Sequence, residues 1–415
     1  MPTASLFRHA DFRRLWAGDT ASQFATFTGH TVLPLLAATV LFASPAQMGL
    51  LAAAEHAAFL LLGLPAGVWV DRMRRRPLMI RAGLVRALLL LSVPLAGWFG
   101  VLTLTQLMLV AALVGVSTLF FDIAYQSFLP SLIGRARLLD GNAKLQASQS
   151  VAQVGGPGIG GGLAQLAGAA NAVLLTGCGY LVSVFALWRI RSVEPRPSRD
   201  VDTTLRAEVA EGLRFVFGNP SLRAIVCATA TANLSGGAFT ALEVLFLTRD
   251  LSLPAGEVGL LLALGGIGGV TGALTARAWT ARLGQARAIW LVPLCTWPSA
   301  LLVPLAAPGW RVLLVAAGLA GIAYGGVVYN VAQVTYRQAI CPDRLLGRMN
   351  ASVRFVVWGV LPIGGLAGGW LAEAIGVHGA IWACTAVMAL GPFWVICSPL
   401  RRVRDLPSDP DAGRP

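Results

Sequence analysis

The chain has 415 residues, of which 56% are hydrophobic and only 12% charged. Soluble domains carry about 25% charge, so a water-soluble fold of this length is excluded for want of charge to solvate its surface. The net charge of +13, from 32 basic and 19 acidic residues, argues against nucleic-acid binding, because the basic residues sit in short clusters between long apolar runs and form no single basic face.

The chain opens MPTASLFRHADFRRLW, charges ahead of a long apolar run with no clear cleavage site. It reads as a short cytoplasmic tail and a retained first helix, not a signal peptide. A spanning helix needs roughly 20 mostly apolar residues. Twelve such runs follow, near 15–42, 47–70, 78–99, 103–126, 144–166, 169–188, 222–247, 256–279, 288–306, 311–334, 351–372 and 378–399. They are continuously apolar and rich in Gly and Ala, so they read as helices and not as the alternating strands of a barrel.

Arginine placement orients them. Arg8, Arg13 and Arg14 precede the first span, and Arg72, Arg74, Arg75 and Arg76 follow the second. Arg135 and Arg137 follow the fourth, Arg189, Arg191, Arg196 and Arg199 the sixth, and Arg282 and Arg287 the eighth. Arg337, Arg344 and Arg348 follow the tenth, and Arg401, Arg402 and Arg404 the last. By the positive-inside rule both termini are expected in the cytoplasm, with the chain in the inner (plasma) membrane.

The polar stretch RIRSVEPRPSRDVD, Arg189–Asp202, divides the spans into two groups of six. After it, Leu205, Val209, Leu213, Val216 and Phe217 recur at helical spacing opposite Arg206 and Arg214. Two readings stand for this segment: an amphipathic helix on the inner surface, or an extension of the seventh span. The expected organisation is an N-terminal half at 1–190, a linker at 191–219, a C-terminal half at 220–400 and a disordered tail at 401–415. Six cysteines are present and none forms a CxxC pair, so neither a disulfide framework nor a metal site is expected.

The halves repeat. A shift of 208 places Asp122 on Asn330, Asn142 on Asn350, Gly156 on Gly364, Gly160 on Gly368 and Gly161 on Gly369. A shift of 210 places Gly49-Leu50-Leu51 on Gly259-Leu260-Leu261 and Arg72 on Arg282. Duplicated six-helix halves with a substrate site between them are the design of many secondary transporters. The fold class expected is an all-α membrane protein of twelve transmembrane helices in two pseudo-symmetric halves.

Residues Gly63–Pro77 read GLPAGVWVDRMRRRP, and this segment, with Gly63, Gly67, Asp71, Arg72, Arg74 and Arg75, resembles the loop signature of the major facilitator superfamily. Two readings stand. Asp71 caps the amide-rich start of the eleventh span near Asn350–Ser352 while an arginine pairs with Asp122, making a cytoplasmic latch; or the arginines only set topology. Val154–Gly162 reads VGGPGIGGG, similar to the motif of drug:proton antiporters through Gly156, Pro157, Gly160 and Gly161, with Ala152 in place of an earlier glycine. A close-packing patch is the other reading, since Gly364, Gly365, Gly368 and Gly369 recur in the eleventh span. FFDIAYQSFLPSL and DRLLGRMNASVRF, with the opening FRRLW, resemble segments of the bacterial exporters related to macrolide and enterobactin pumps. The resemblance covers nearly the whole chain and implies a proton-coupled exporter of drug-like or natural-product molecules, driven by the proton gradient with no cofactor.

Ionisable groups inside spans are costly and are functional candidates by default. For proton coupling the first choice is Glu55, well inside its span, and the second Asp19; Asp122 and Glu243 complete the set, Glu243 as a gate or a cation contact. Structural pairing stands beside proton carriage for each. Arg86 reads as the partner of an acid on a neighbouring helix. Tyr125, Tyr324, Tyr329, Asn330 and Asn233 are candidates to line a cavity, with ordinary packing the alternative. The expected partners are a small-molecule substrate, protons and the lipid bilayer, with the chain a monomer. An importer or facilitator of the same fold is the competing function. No HExxH, GxSxG or Walker loop is present, so an enzyme or direct ATP use is not expected.

Overall fold

In lipid a backbone must satisfy its own polar groups, and a helix does so within one segment. The computed structural model describes residues 6–134, 137–192, 205–342 and 345–405, and among them there are helices and no strands. Linker residues 193–204, the tail from residue 406, Arg135 and Arg344, and the side chains of Asp71, Leu205, Arg206 and Val209 lie outside the described residues.

The first half supplies α1 (Ala10–Thr39), α2 (Pro45–Asp71), α3 (Arg75–Trp98), α4 (Leu104–Ile133), α5 (Leu138–Ala167) and α6 (Ala169–Trp188). The linker contributes α7 (Leu205–Gly218). The second half supplies α8 (Pro220–Leu245), α9 (Ala255–Leu283), α10 (Gln285–Thr296), α11 (Leu313–Ile340) and α12 (Leu346–Leu390). The pass begun by α10 ends as a tighter 3-10 turn over Trp297–Leu305, where Pro298 and Pro304 remove backbone donors. Gly376, at φ 81°, breaks α12 into two arms, a conformation that glycine adopts without a Cβ penalty.

Among the described residues nine stretches are long and apolar enough to cross a membrane, and the last, Arg348–Ile396, runs through both arms of α12. α1 and α5, at 30 residues each, are long enough but carry polar side chains, among them Asp19, Gln23 and His30 in α1 and Gln146, Gln149 and Gln153 in α5. With these two and the second arm of α12, the twelve expected passes are present.

The chain packs as two compact units. The first holds α1, most of α2, α3 to α6 and residues 253–263 at the start of α9; the second holds residues 45–53 at the start of α2, then α7, α8, the rest of α9, and α10 to α12. In the first, α1 packs on α5 and α6, and α3 on α4 and α6. In the second, α8 packs along α12, and α10 on α11. Close approach of backbones through small residues replaces the hydrophobic effect, which is absent between helices in lipid.

α7 does not continue into α8. Asn219 accepts from the amides of Ser221 (2.9 Å) and Leu222 (3.1 Å), and Pro220 opens α8. An Asn cap followed by Pro starts a new helix. Near the end of α7, Val216 is buried with Leu345, Met349 and Val353, while Phe217 is exposed. Glu211 pairs with Arg348.

Candidate functional site

The first unit gathers its buried charges on α1, α3 and α4. Asp19 is 4% exposed; Gln23 and Tyr125 lie against its carboxyl, with Asp122 and Arg86 as the neighbouring charges. Arg86 is 1% exposed. Its guanidinium is clamped between the rings of Phe121 and Tyr180, 4.2 and 4.4 Å from their centroids. Two of its nitrogens, Nε and Nη2, are buried without a hydrogen-bond partner. The expectation that Arg86 pairs with an acid is therefore corrected: among the described residues no ion pair within 4.0 Å involves it, and aromatic faces hold the cation instead. The cage is braced by Tyr180, whose hydroxyl meets Thr26 Oγ1 at 2.9 Å, and by Tyr125, stacked 6.2 Å from Phe121.

Glu55 is placed otherwise. His30 Nδ1 on α1 lies 2.9 Å from Glu55 Oε1 on α2, with the His30 side chain 44% and the Glu55 side chain 23% exposed. His56 is the next charge-bearing neighbour, and Phe27 sets its ring edge-on to His30. Ionisable groups at this depth face the bundle interior or water and not lipid. Tyr125 belongs to the buried cluster.

In the second unit the 208 shift puts Asn330 where the first has Asp122, and the charge nearest Tyr329 is Arg337. Tyr329, the counterpart of Phe121 under the 208 shift, is 4% exposed. It donates to the Ile225 carbonyl at 3.0 Å and meets Thr229 Oγ1 at 2.7 Å, with Trp297 edge-on at 5.4 Å. Its hydroxyl is committed to packing. Tyr324 accepts from Trp279 Nε1 and from Thr275 Oγ1 at 2.9 Å, tying α9 to α11. Asn233 donates to the Val357 carbonyl at 2.7 Å, bridging α8 and α12. Asn330 accepts from Gln333 at 2.9 Å and is exposed. Glu243 stands apart, its Oε1 buried without a hydrogen-bond partner.

Among the loop-signature residues, Arg72 and Arg74 are exposed, and a Cβ on Gly63 or Gly67 would meet nothing within 4 Å, so close approach does not explain either glycine. Arg76, two positions beyond Arg74, is engaged as well. Arg76 donates from Nε to the Leu187 carbonyl (3.1 Å) and from Nη2 to the Trp188 carbonyl (2.6 Å), capping the carbonyls at the end of α6. Asp11 secures the same place. It accepts from the amides of Arg191 (3.2 Å) and Ser192 (3.0 Å) and from Arg14 (2.7 Å). Burial pushes its carboxyl up, but the Arg191 amide, Arg14 and Ser192 outweigh that and hold it below the usual carboxylate range. Sequence reading passed over both, since nothing local marks which residue will meet the end of a helix far along the chain.

The antiporter-like residues act on both sides of α5. A Cβ on Gly156 would come within 2.7 Å of Phe27 Cβ, and one on Gly160 within 3.0 Å of Val32, both on α1. Gly161 faces the start of α9. The matching glycines of α12 do the same, Gly368 against Ala238 on α8 and Gly369 against the start of α2.

Twelve helical passes in a repeated six-plus-six order, with ionisable side chains enclosed among them, make this a membrane transporter of the major facilitator type. Residues 2–413 match the family model described as transmembrane secretion effector, and the chain belongs to that family. It is 30% identical to the multidrug efflux pump Tap of Mycolicibacterium fortuitum over 84% of this chain and 86% of that protein. It is 28% identical to an uncharacterised MFS-type transporter of Sinorhizobium fredii over 86% and 87% of the two chains. Its fold is similar to the crystal structure of the nucleoside transporter NupG, with TM-score 0.76 at 10% identity, covering 93% of this chain and 98% of that one. A bacterial homologue of the iron transporter ferroportin in an inward-facing state gives TM-score 0.75 at 18% identity, covering 95% and 99%.

Proposed function

We propose that this transporter exports small drug-like molecules in exchange for protons, by alternating access, with both termini in the cytoplasm. The observation that carries the reading is the Asp19–Arg86 cluster: a buried acid beside a buried cation that is held by ring faces and not by an ion pair. A carboxyl and a guanidinium kept from full contact leave room for a proton to take the place of the ionic bond, which is what an exchanging site requires. The geometry favours Asp19 over Glu55 as the proton carrier, because Glu55 already has His30 as its partner. The similarity to an efflux pump favours the outward direction.

The test uses everted membrane vesicles with a respiration-driven, acid-inside pH gradient and ethidium as the added probe. Ethidium is expected to discharge part of the gradient when the wild-type chain is present. Asp19→Asn should abolish the response and Glu55→Gln should reduce it without abolishing it. A full response from Asp19→Asn defeats the assignment. Ethidium accumulation by right-side-out vesicles would make the chain an importer.

A further inference from the structure

Among the close helix crossings of each unit, one in the first unit and one in the second are copies of each other. In the first unit α5 meets the start of α9, where a Cβ on Gly161 would come within 2.7 Å of Gly259 Cα. In the second the first arm of α12 meets the start of α2, where a Cβ on Gly49 would come within 2.9 Å of Gly369 Cα. The 208 shift carries Gly161 onto Gly369, and the 210 shift carries Gly49 onto Gly259.

One turn beyond each glycine pair, a side chain caps the incoming helix. Gln165 Oε1 accepts the Gly256 amide at 2.9 Å, and Glu373 Oε1 accepts the Ala46 amide at 3.2 Å. Gln165 and Glu373 are again related by the 208 shift, and Ala46 and Gly256 by the 210 shift. The turn ahead of each capped helix repeats as well. Phe42 (φ 49°) and Ser252 (φ 55°) are the only non-glycine residues with left-handed φ among those described, and the 210 shift relates them too. Each turn closes the helix before it, the Ala43 amide meeting the Ala37 carbonyl at 2.9 Å and the Leu251 amide the Phe246 carbonyl at 3.0 Å.

We infer that Gln165 and Glu373 are a matched pair of clasps, positioning residues that hold the starts of α9 and α2 against α5 and α12 in one state of the transport cycle and release them in the other. The inference rests on the alternating-access reading. The first turn of a helix leaves four amides unsatisfied, so a clasp withdrawn exposes an amide that must find water. The clasps are unequal. Glu373 offers a charge to a helix N-terminus, which favours anions, and charge-assisted bonds are about twice as strong as neutral ones; Gln165 offers a neutral amide oxygen. The start of α2 is therefore held harder than the start of α9.

Hydrogen–deuterium exchange of the full chain in lipid nanodiscs, read over residues 45–50 and 255–260, tests this without a substrate. In wild type, 255–260 should exchange about tenfold faster than 45–50, and tenfold corresponds to ~1.4 kcal/mol. Glu373→Ala should raise exchange about tenfold at 45–50 and leave 255–260 alone; Gln165→Ala should do the reverse. Glu373→Gln should bring 45–50 to the level of 255–260. No change at 45–50 in Glu373→Ala, or a rise spread over the whole chain, overturns the clasp. In everted vesicles Glu373→Ala should lose most ethidium-driven discharge and Glu373→Gln should recover it; equal rates in wild type and Glu373→Ala overturn the positioning role. A wild-type chain that ignores ethidium defeats the export reading instead, and the exchange result still decides the clasps.

Discussion

Substituting alanine at Gly161 and at its neighbour Gly162 separates close packing from composition in one step along the same helix. A Cβ on Gly161 would lie 2.7 Å from Gly259 Cα, where carbon atoms prefer about 3.5–4.0 Å. The obstacle is backbone, so no side chain swings away, and α5 and the start of α9 must part by about 1 Å. A gap of that size forfeits a quarter to a half of the attraction at each contact along the crossing, and overpacking of this kind costs ~1–3 kcal/mol. A Cβ on Gly162 meets nothing within 4 Å, and Ala is favoured over Gly in a helix interior by up to about 1 kcal/mol. Thermal unfolding of detergent-purified protein, followed by tryptophan fluorescence, should show Gly161→Ala melting several degrees below wild type. Gly162→Ala should melt at or above wild type. Equal midpoints for the two variants would refute the reasoning and return the motif to a role outside packing.

Two further outcomes follow from buried and capping charges. Arg86 is the buried cation beside the Asp19 carboxyl, and removing one of two facing buried charges leaves the other uncompensated; Arg86→Met should therefore abolish ethidium-driven proton exchange and lower the melting point, Asp19→Asn combined with Arg86→Met should recover the melting point, and a double variant no more stable than Arg86→Met would refute the coupling. The Asp11 carboxyl is held below its usual range, so the unfolded chain binds the proton more readily, and the stabilisation by Asp11 is full above the ordinary carboxylate range and lost as pH falls through its depressed folded value. Asp11→Asn should thus lower the melting point at neutral pH, with the difference from wild type closing on acidification; a difference that does not vary with pH would contradict the assignment.

The helical passes were legible because a bilayer imposes one length and one composition on every segment that crosses it. α1 and α5 are the passes with the most polar side chains inside them, among them Asp19, His30, Gln146 and Gln149. Both are packed against other helices, α1 lying on α5 and α6, so their polar faces need not meet lipid. The buried acids were also legible as outliers in oily surroundings, but their partners were not. Glu55 and His30 are 25 positions apart and meet only because the fold brings this part of α2 to α1. Arg86 found Phe121 and Tyr180 in place of an acid, and an aromatic ring carries no charge in a sequence to announce it.

By itself the sequence determined that the chain lives in lipid, that it crosses as apolar helices, and which side chains are too polar to sit there without cause. These follow from solvent and chain length, which act on each segment separately. The tertiary structure alone decided that Asp19 faces a caged guanidinium, that Tyr329 is spent on packing, that Val216 near the end of α7 is buried against Met349 and Val353, and that Gln165 and Glu373 close equivalent helix starts. Each of those depends on which backbones approach closely enough to touch, and that is settled by the mutual fit of whole helices, not by any one stretch of residues.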